Sequence, residues 1–314
     1  MCILVACPRR SDIQSFIRFT RGRSSLKFNF HIQAGPFNML LPTSQTYTFD
    51  NFELTSGAVL PKLDVAYETW GTLNDVGDNA ILLCHGYTNH PHAGGDENGW
   101  GYNLLGPGKA VDTDKYFVVC SNMLGSSYGT TGPGSINPET GKPYGPDFPA
   151  YSTLDMVEVQ KTLIDALGIN QLKAVMGYSY GGHLTFLWGG FYPDRMRCLV
   201  PIAGVTERLQ TTADIARIRA RFEKCSGWNN GHYYDNEPSG GVFEELIDAR
   251  METLGKYGLG TYLAAQGHDL KPQQPLSASE RRYGLGNSMP IHFGFYIRRG
   301  LAPKPTSRRS RHRY

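Results

Sequence analysis

The segment VMGYSYGGHL, residues 175–184, sets a serine between two glycines in G-x-S-x-G spacing, with a third glycine behind. A serine hydroxyl is a poor nucleophile unless a base takes its proton and donors receive the charge that develops on the attacked carbonyl. Glycines at 177, 181 and 182 are what a sharp strand-to-helix turn needs, because such a turn crowds the backbone and leaves no room for side chains. Ser179 is therefore the candidate nucleophile, lifted above a sheet at the N-terminus of a helix, where free amides and the helix dipole favour negative charge. One oxyanion donor is expected from the next amide, that of Tyr180. The other is expected from a loop after an earlier strand, and CHGYT (84–88) follows such a strand, with the amide of Tyr87 as the candidate.

The same loop brings His85, His90, His92 and Asp96 close together in sequence, as a zinc site could. The glycine turn already accounts for the loop and no second ligand cluster is evident, so no metal is expected. The glycine-rich run LGSSYGTTGPGS (124–135) lacks the GK[ST] ending of a phosphate loop and reads as an irregular loop.

The elements around these residues follow from periodicity. LDVAYETWG (63–71) alternates like a strand, and NAILLCHG (79–86) and KYFVVCSN (115–122) are short apolar runs that suit buried strands. Residues 152–169 carry a helical stripe at Met156, Val159, Leu163 and Leu167, with Ser152 or Thr153 as the cap and Gly168 as the stop. A strand at 172–179, a helix at 181–196 ending near Pro193, and a strand at 198–204 complete the pattern. Alternating strands and helices predict a mostly parallel sheet covered on both faces.

The chain of 314 residues is long enough for one large domain. Its six cysteines are scattered, which suits a reducing compartment, and no apolar run approaches the ~18 residues of a membrane span. The net charge of +3 is unevenly spread: residues 1–38 carry six Lys/Arg and one acid, and residues 270–314 carry ten Lys/Arg and one acid, around an acidic middle. Both ends are therefore expected to lie outside the folded body. The Arg- and Ser-rich N-terminus suits a mitochondrial transit peptide, or an extension upstream of an internal start at Met39; the cytoplasm is the expected location and the mitochondrion the alternative.

The run GYNLLGPGKAVDTDKYFVVCSNMLGSSYGTTGPGSINPETGKPYGPDFP, the serine turn, and YPDRMRCLVPIAG together resemble the homoserine O-acetyltransferase family of the α/β-hydrolase fold. The likeness runs from about residue 67 to 203, and more loosely through 227–254. It implies a Ser179-bound acyl intermediate, acyl-CoA as co-substrate, no bound cofactor, and transfer to the hydroxyl of homoserine or a related small alcohol. It places Tyr87 and Tyr180 in the oxyanion hole. It sets Arg219 near where the family binds the homoserine carboxylate, although ARIRARFEK (216–224) also reads as a solvated basic helix face. The family usually carries Met where Tyr180 stands, which leaves an acyl hydrolase on the same fold as an alternative.

In this fold the acid and the base follow the nucleophile in chain order. A helical lid is expected over 205–285, with helices around 215–222 and 243–254. Beyond Asp269 the sole acid is Glu280, and beyond His268 the only histidines are His292 and His312, neither in a family-like setting; His268 reads as a surface residue. The triad acid and base are therefore unassigned, and a truncated, inactive relative is the third reading. The expected organisation is a basic extension (1–38), the α/β-hydrolase core (39–204), the lid (205–285) and a basic tail (286–314), with the C-terminal part of the fold missing. Small-molecule substrates are expected, a homodimer is allowed, and neither nucleic acid nor membrane is an expected partner.

Overall fold

A computed structural model describes residues 41, 43–206, 211–234 and 241–256. The expectations for 1–38, for 286–314 and for Glu280, His268, His292 and His312 lie outside these residues. A six-stranded sheet forms the body. Its strands are β1 (Gln45–Glu53), β2 (Val59–Trp70), β3 (Ala80–Cys84), β6 (Phe117–Ser121), β7 (Leu172–Tyr178) and β8 (Leu199–Ile202), in the spatial order β1-β2-β6-β3-β7-β8. A two-residue ribbon, β4 (Leu105–Gly106) with β5 (Val111–Asp112), stands apart.

The sheet is parallel from β6 through β3 and β7 to β8, and antiparallel where β1 meets β2 and β2 meets β6. β1 was not foreseen. As an edge strand it buries no residue fully, so no apolar run marks it. β3 shows the opposite extreme: all five of its residues are buried, as the apolar run AILLC requires of a central strand.

The helices do not cover both faces equally. α1 (Thr153–Ala166) and α2 (Tyr180–Phe191) lie together on one face, where Met156, Leu163, Leu184 and Trp188 pack on Leu82, Cys84, Val119 and Val175. Trp188 is fully buried and donates its indole N–H to Gln160 Oε1 at 2.9 Å. On the other face Ile81, Leu83, Val118 and Cys120 meet Ala93, Leu105 and Val111, with Trp70 and Trp100 at the margin. Among the described residues, a long loop with its small ribbon covers that face where a helix was expected.

α1 begins in a capping box of Ser152 and Asp155. Asp155 also accepts from the backbone and hydroxyl of Thr55 at 2.6 and 2.8 Å, which ties the β1–β2 turn to the helix. Burial raises the Asp155 pKa, but these bonds outweigh it and hold the carboxyl below its ordinary value. The helix stops at Gly168, whose φ of +73° suits the left-handed cap. Of the segment expected to form a lid, α3 (Thr212–Phe222) and α4 (Val242–Lys256) form close to the positions expected, and residues 257–285 lie outside the described residues. Arg221 joins them through Glu245 at 2.5 Å and Glu252 at 2.8 Å.

Candidate active site

β3 and β7 are parallel neighbours, with Cys84 opposite Gly177. The chain therefore leaves both strands at the same edge of the sheet, and the loop starting at His85 lies beside the turn at Ser179. Ser179 has φ 54° and ψ −117°, a conformation a non-glycine residue holds only under constraint from its surroundings. The glycines show that constraint. A Cβ at Gly181 would lie 2.0 Å from the carbonyl oxygen of Cys84, one at Gly177 would lie 2.2 Å from that of Gly181, and one at Gly182 would lie 2.9 Å from Gly204 Cα. The Ser179 amide donates to the Ile202 carbonyl of β8 at 2.9 Å, and its own carbonyl accepts from His183 N at 3.2 Å. Backbone against backbone thus fixes the turn. The Ser179 side chain stands exposed at the N-terminus of α2.

The neighbouring loop is held by side chains. The Asn89 amide closes a turn onto the Gly86 carbonyl at 2.9 Å, and Asn89 Nδ2 donates to the hydroxyl of Tyr178, the residue before Ser179. Tyr87 is 67% exposed and meets the Tyr180 ring edge-on at 5.4 Å. Burial pushes the Tyr151 hydroxyl up to about 12, and the nearby phenols of Tyr87 and Tyr180 add to the rise. Three tyrosines therefore gather beside the serine. From α4, Arg250 Nη2 donates to Thr88 Oγ1 at 3.3 Å.

The histidines of the loop differ sharply. Burial lowers the pKa of His85 to about 4 and of His90 to about 3, so both are neutral near pH 7. His92 goes the other way, to about 9, chiefly through its hydrogen bond to Glu68. Its Nδ1 lies 2.8 Å from Glu68 Oε2 and its Nε2 lies 3.1 Å from Asp96 Oδ1. Both ring nitrogens that could bind a metal are therefore engaged with carboxylates. Among the described residues, no group of three or more His, Cys, Asp or Glu could hold a metal ion.

His183, one turn along α2, has its Nδ1 2.9 Å from the Val205 carbonyl oxygen. Among the described residues no histidine hydrogen bonds to the Ser179 hydroxyl.

Arg219 stands away from the loop. It is 68% exposed and donates to Glu223 at 2.9 Å on its own helix, and α3 buries none of its residues. The geometry is that of the solvated helix face. Among the described residues Arg250 is a cation that reaches the loop, and sequence reasoning missed it. A signal was present: Arg250 lies among half-buried Leu246, Ala249 and Thr253 on one stripe of α4, where an arginine needs a partner.

Comparison with known proteins adds to this geometry. A family model described as alpha/beta hydrolase fold matches residues 79–239. The homoserine O-acetyltransferase of Deferribacter desulfuricans is 46% identical over 203 residues, covering 62% of this chain and 54% of that protein. The homoserine O-acetyltransferase of Moorella thermoacetica is 41% identical over 249 residues, covering 69% of this chain and 66% of that protein. The chain thus spans about half to two thirds of the length of these relatives. Among solved structures, esterase E22 superposes with a TM-score of 0.62 at 29% identity, covering 77% of this chain and 72% of that one. The homoserine O-acetyltransferase from Bacillus anthracis superposes with a TM-score of 0.59, also at 29% identity, covering 77% of this chain and 70% of that one. Among the described residues, no helix is long and apolar enough to cross a membrane.

Proposed function

The chain belongs to the α/β-hydrolase family, among its homoserine O-acetyltransferase-like members, and from that premise we propose that it transfers an acyl group from acyl-CoA to the hydroxyl of homoserine or a closely related small alcohol. The observation that carries the proposal is Ser179, held at positive φ by glycine-tight backbone contacts beside the loop that follows β3.

In the proposed reaction the Ser179 oxygen attacks the thioester carbonyl. The amides of Tyr87 and Tyr180 receive the oxyanion, coenzyme A leaves as the thiol, and the acceptor hydroxyl then attacks the acyl-serine and releases it as an ester. The Tyr180 amide is well suited, since the first amides of a helix have no carbonyl partner within it. Arg250, beside Thr88, supplies a cation for an acceptor carboxylate. Ser179 still needs a base. In the chain order of this fold the acid and base follow the nucleophile, and beyond α4 the chain carries His268, Asp269, Glu280, His292 and His312.

Hydrolysis is the second reading, favoured by the likeness to esterase E22; water would then replace the alcohol. Both readings are tested by following free thiol release from acetyl-CoA, with and without homoserine, in the full chain and in Ser179→Ala. Release that needs homoserine and falls by about 10⁴-fold or more in Ser179→Ala is the outcome for the transferase. Ser179-dependent release without homoserine supports the hydrolase. Equal background in both proteins would reject both readings and leave an inactive relative.

A further inference from the structure

The serine chemistry makes no use of Glu68, which sits on β2 with only 4% of its surface exposed. A carboxylate so deeply buried costs several kcal/mol unless its oxygens are satisfied. Here they are. Oε1 accepts from Thr43 Oγ1 at 2.7 Å and Ser44 Oγ at 2.9 Å, and Oε2 accepts from His92 Nδ1 at 2.8 Å. The other nitrogen of His92 donates to Asp96 Oδ1 at 3.1 Å, and that oxygen also accepts from the Asn98 amide at 2.8 Å. An imidazole with a carboxylate on each nitrogen donates twice and so is a bridging cation. Around His92 the backbone closes on itself: Trp100 N donates to His92 O at 3.3 Å, Gly101 N to Ala93 O at 2.8 Å, and Trp100 Nε1 to His90 O at 3.0 Å. His92 is thus a charged link between this closed loop and β2 of the central sheet, five residues beyond Tyr87.

We propose that Glu68 and His92 are positioning residues: their buried ion pair fixes residues 85–101 to β2, and with them the Tyr87 amide beside Ser179. The role rests on the proposed serine chemistry, because a donor stabilises an oxyanion only if it is already in place when the charge forms. Asn89 on Tyr178 holds the near side of the loop and Glu68 on His92 holds the far side. The groups facing His92 are Glu68 from β2, Asp96 and the neutral His90 from its own loop, with Thr43 Oγ1 at 3.4 Å. Cys120 of β6 lies near Glu68, and burial keeps its thiol protonated. On the alkaline side the pair is lost as the pH rises through about 9, where His92 gives up its proton.

The test compares the full chain with Glu68→Gln and His92→Gln. Glu68→Gln keeps the shape and the acceptor for Thr43 and Ser44 but removes the charge. Backbone amide exchange over residues 85–101 is expected to speed up by about tenfold or more in both variants, with exchange in β3 and α1 unchanged. Ser179-dependent turnover is expected to lose about tenfold or more in kcat with KM for acetyl-CoA within about twofold. The alkaline fall in rate, near pH 9 in the parent chain, is expected to move down by about one unit or more in Glu68→Gln. Unchanged exchange in the loop, exchange rising equally throughout, or a raised KM at constant kcat would each overturn the proposal. The exchange measurement needs no turnover. A parent chain without Ser179-dependent activity would defeat the proposed function, while exchange would still decide whether the ion pair holds the loop.

Discussion

Two segments meet at Ser179, and they are held by different forces. The turn at 177–182 is set by excluded volume: glycines with carbonyl oxygens and Cα atoms where a Cβ would be. The loop at 85–101 has tight glycines of its own, at 94 and 99, but it is tied to the elements around it by directional and charged contacts, among them Asn89 on Tyr178, Arg250 on Thr88 and Glu68 on His92. Steric constraint is indifferent to pH and salt and tolerates no added atom. Polar constraint survives added atoms but titrates. A nucleophile must hold one conformation that is unfavourable in isolation, and steric locking does that. A donor loop must accept a substrate and release a product, which polar tethers permit.

The largest effect is expected from breaking the steric half. Gly181→Ala puts a methyl 2.0 Å from a backbone carbonyl oxygen at the end of β3, where no side chain can swing aside. The cost is expected at or above the ~3 kcal/mol upper range for overpacking, enough to lose much of the native state. Gly190→Ala, on the same helix, meets nothing within 4 Å. It is expected to raise stability by roughly 0.5–1 kcal/mol through the gain in helix propensity. Urea denaturation of the two variants checks the contrast. Equal tolerance at both positions would mean that the turn is not sterically fixed.

The same contrast explains what could be read from the sequence. Steric locking leaves a signature in residue types at fixed spacing, and Gly177, Ser179, Gly181 and Gly182 displayed it. Buried strands such as AILLC and the capped helix α1 were legible for a similar reason, since burial and capping select residue types locally. Polar tethers leave no such trace. Glu68 and His92 are 24 residues apart, and nothing local says that β2 lies beneath the loop. The four nearby residues His85, His90, His92 and Asp96 are spaced as a zinc site could be, and their spacing alone says nothing of the actual arrangement, in which His92 lies between two carboxylates and His85 and His90 are neutral in the interior. β1 escaped because an edge strand with half-exposed residues has no apolar run, and Arg250 because its partner Thr88 is 162 residues away.

A smaller effect is expected from titrating the polar half. The folded pKa of His92 is raised to about 9, above its ordinary value of 6.5. A group raised in this way contributes stability that is full below the unfolded value and is lost as the pH rises through the folded one. The melting temperature is expected to fall between pH 7 and 10 in the parent chain, and to fall less in His92→Gln. Gly190→Ala, which alters only helix propensity, should keep the parent's slope. Parallel slopes for the parent and His92→Gln would show that the His92 bridge does not hold the loop by charge.

The smallest effect separates two arginines, one on α3 and one on α4. Arg250 reaches the loop beside Tyr87, whereas Arg219 pairs with Glu223 on a helix face open to solvent. A charged hydrogen bond to a substrate carboxylate is worth about 1.5–3 kcal/mol, so Arg250→Ala should raise KM for homoserine by roughly tenfold or more. Arg250→Lys should recover only part of this loss, because an ammonium cannot reproduce the guanidinium fork. Both variants should leave KM for acetyl-CoA close to that of the parent, since only the acceptor carries the carboxylate. An exposed i,i+4 pair is worth about 0.3–0.5 kcal/mol, so Arg219→Ala should change stability by no more than that and leave both KM values unaltered. A rise in KM for homoserine in Arg219→Ala, with none in Arg250→Ala, would reverse the assignment and return the carboxylate to α3, where the family resemblance first set it.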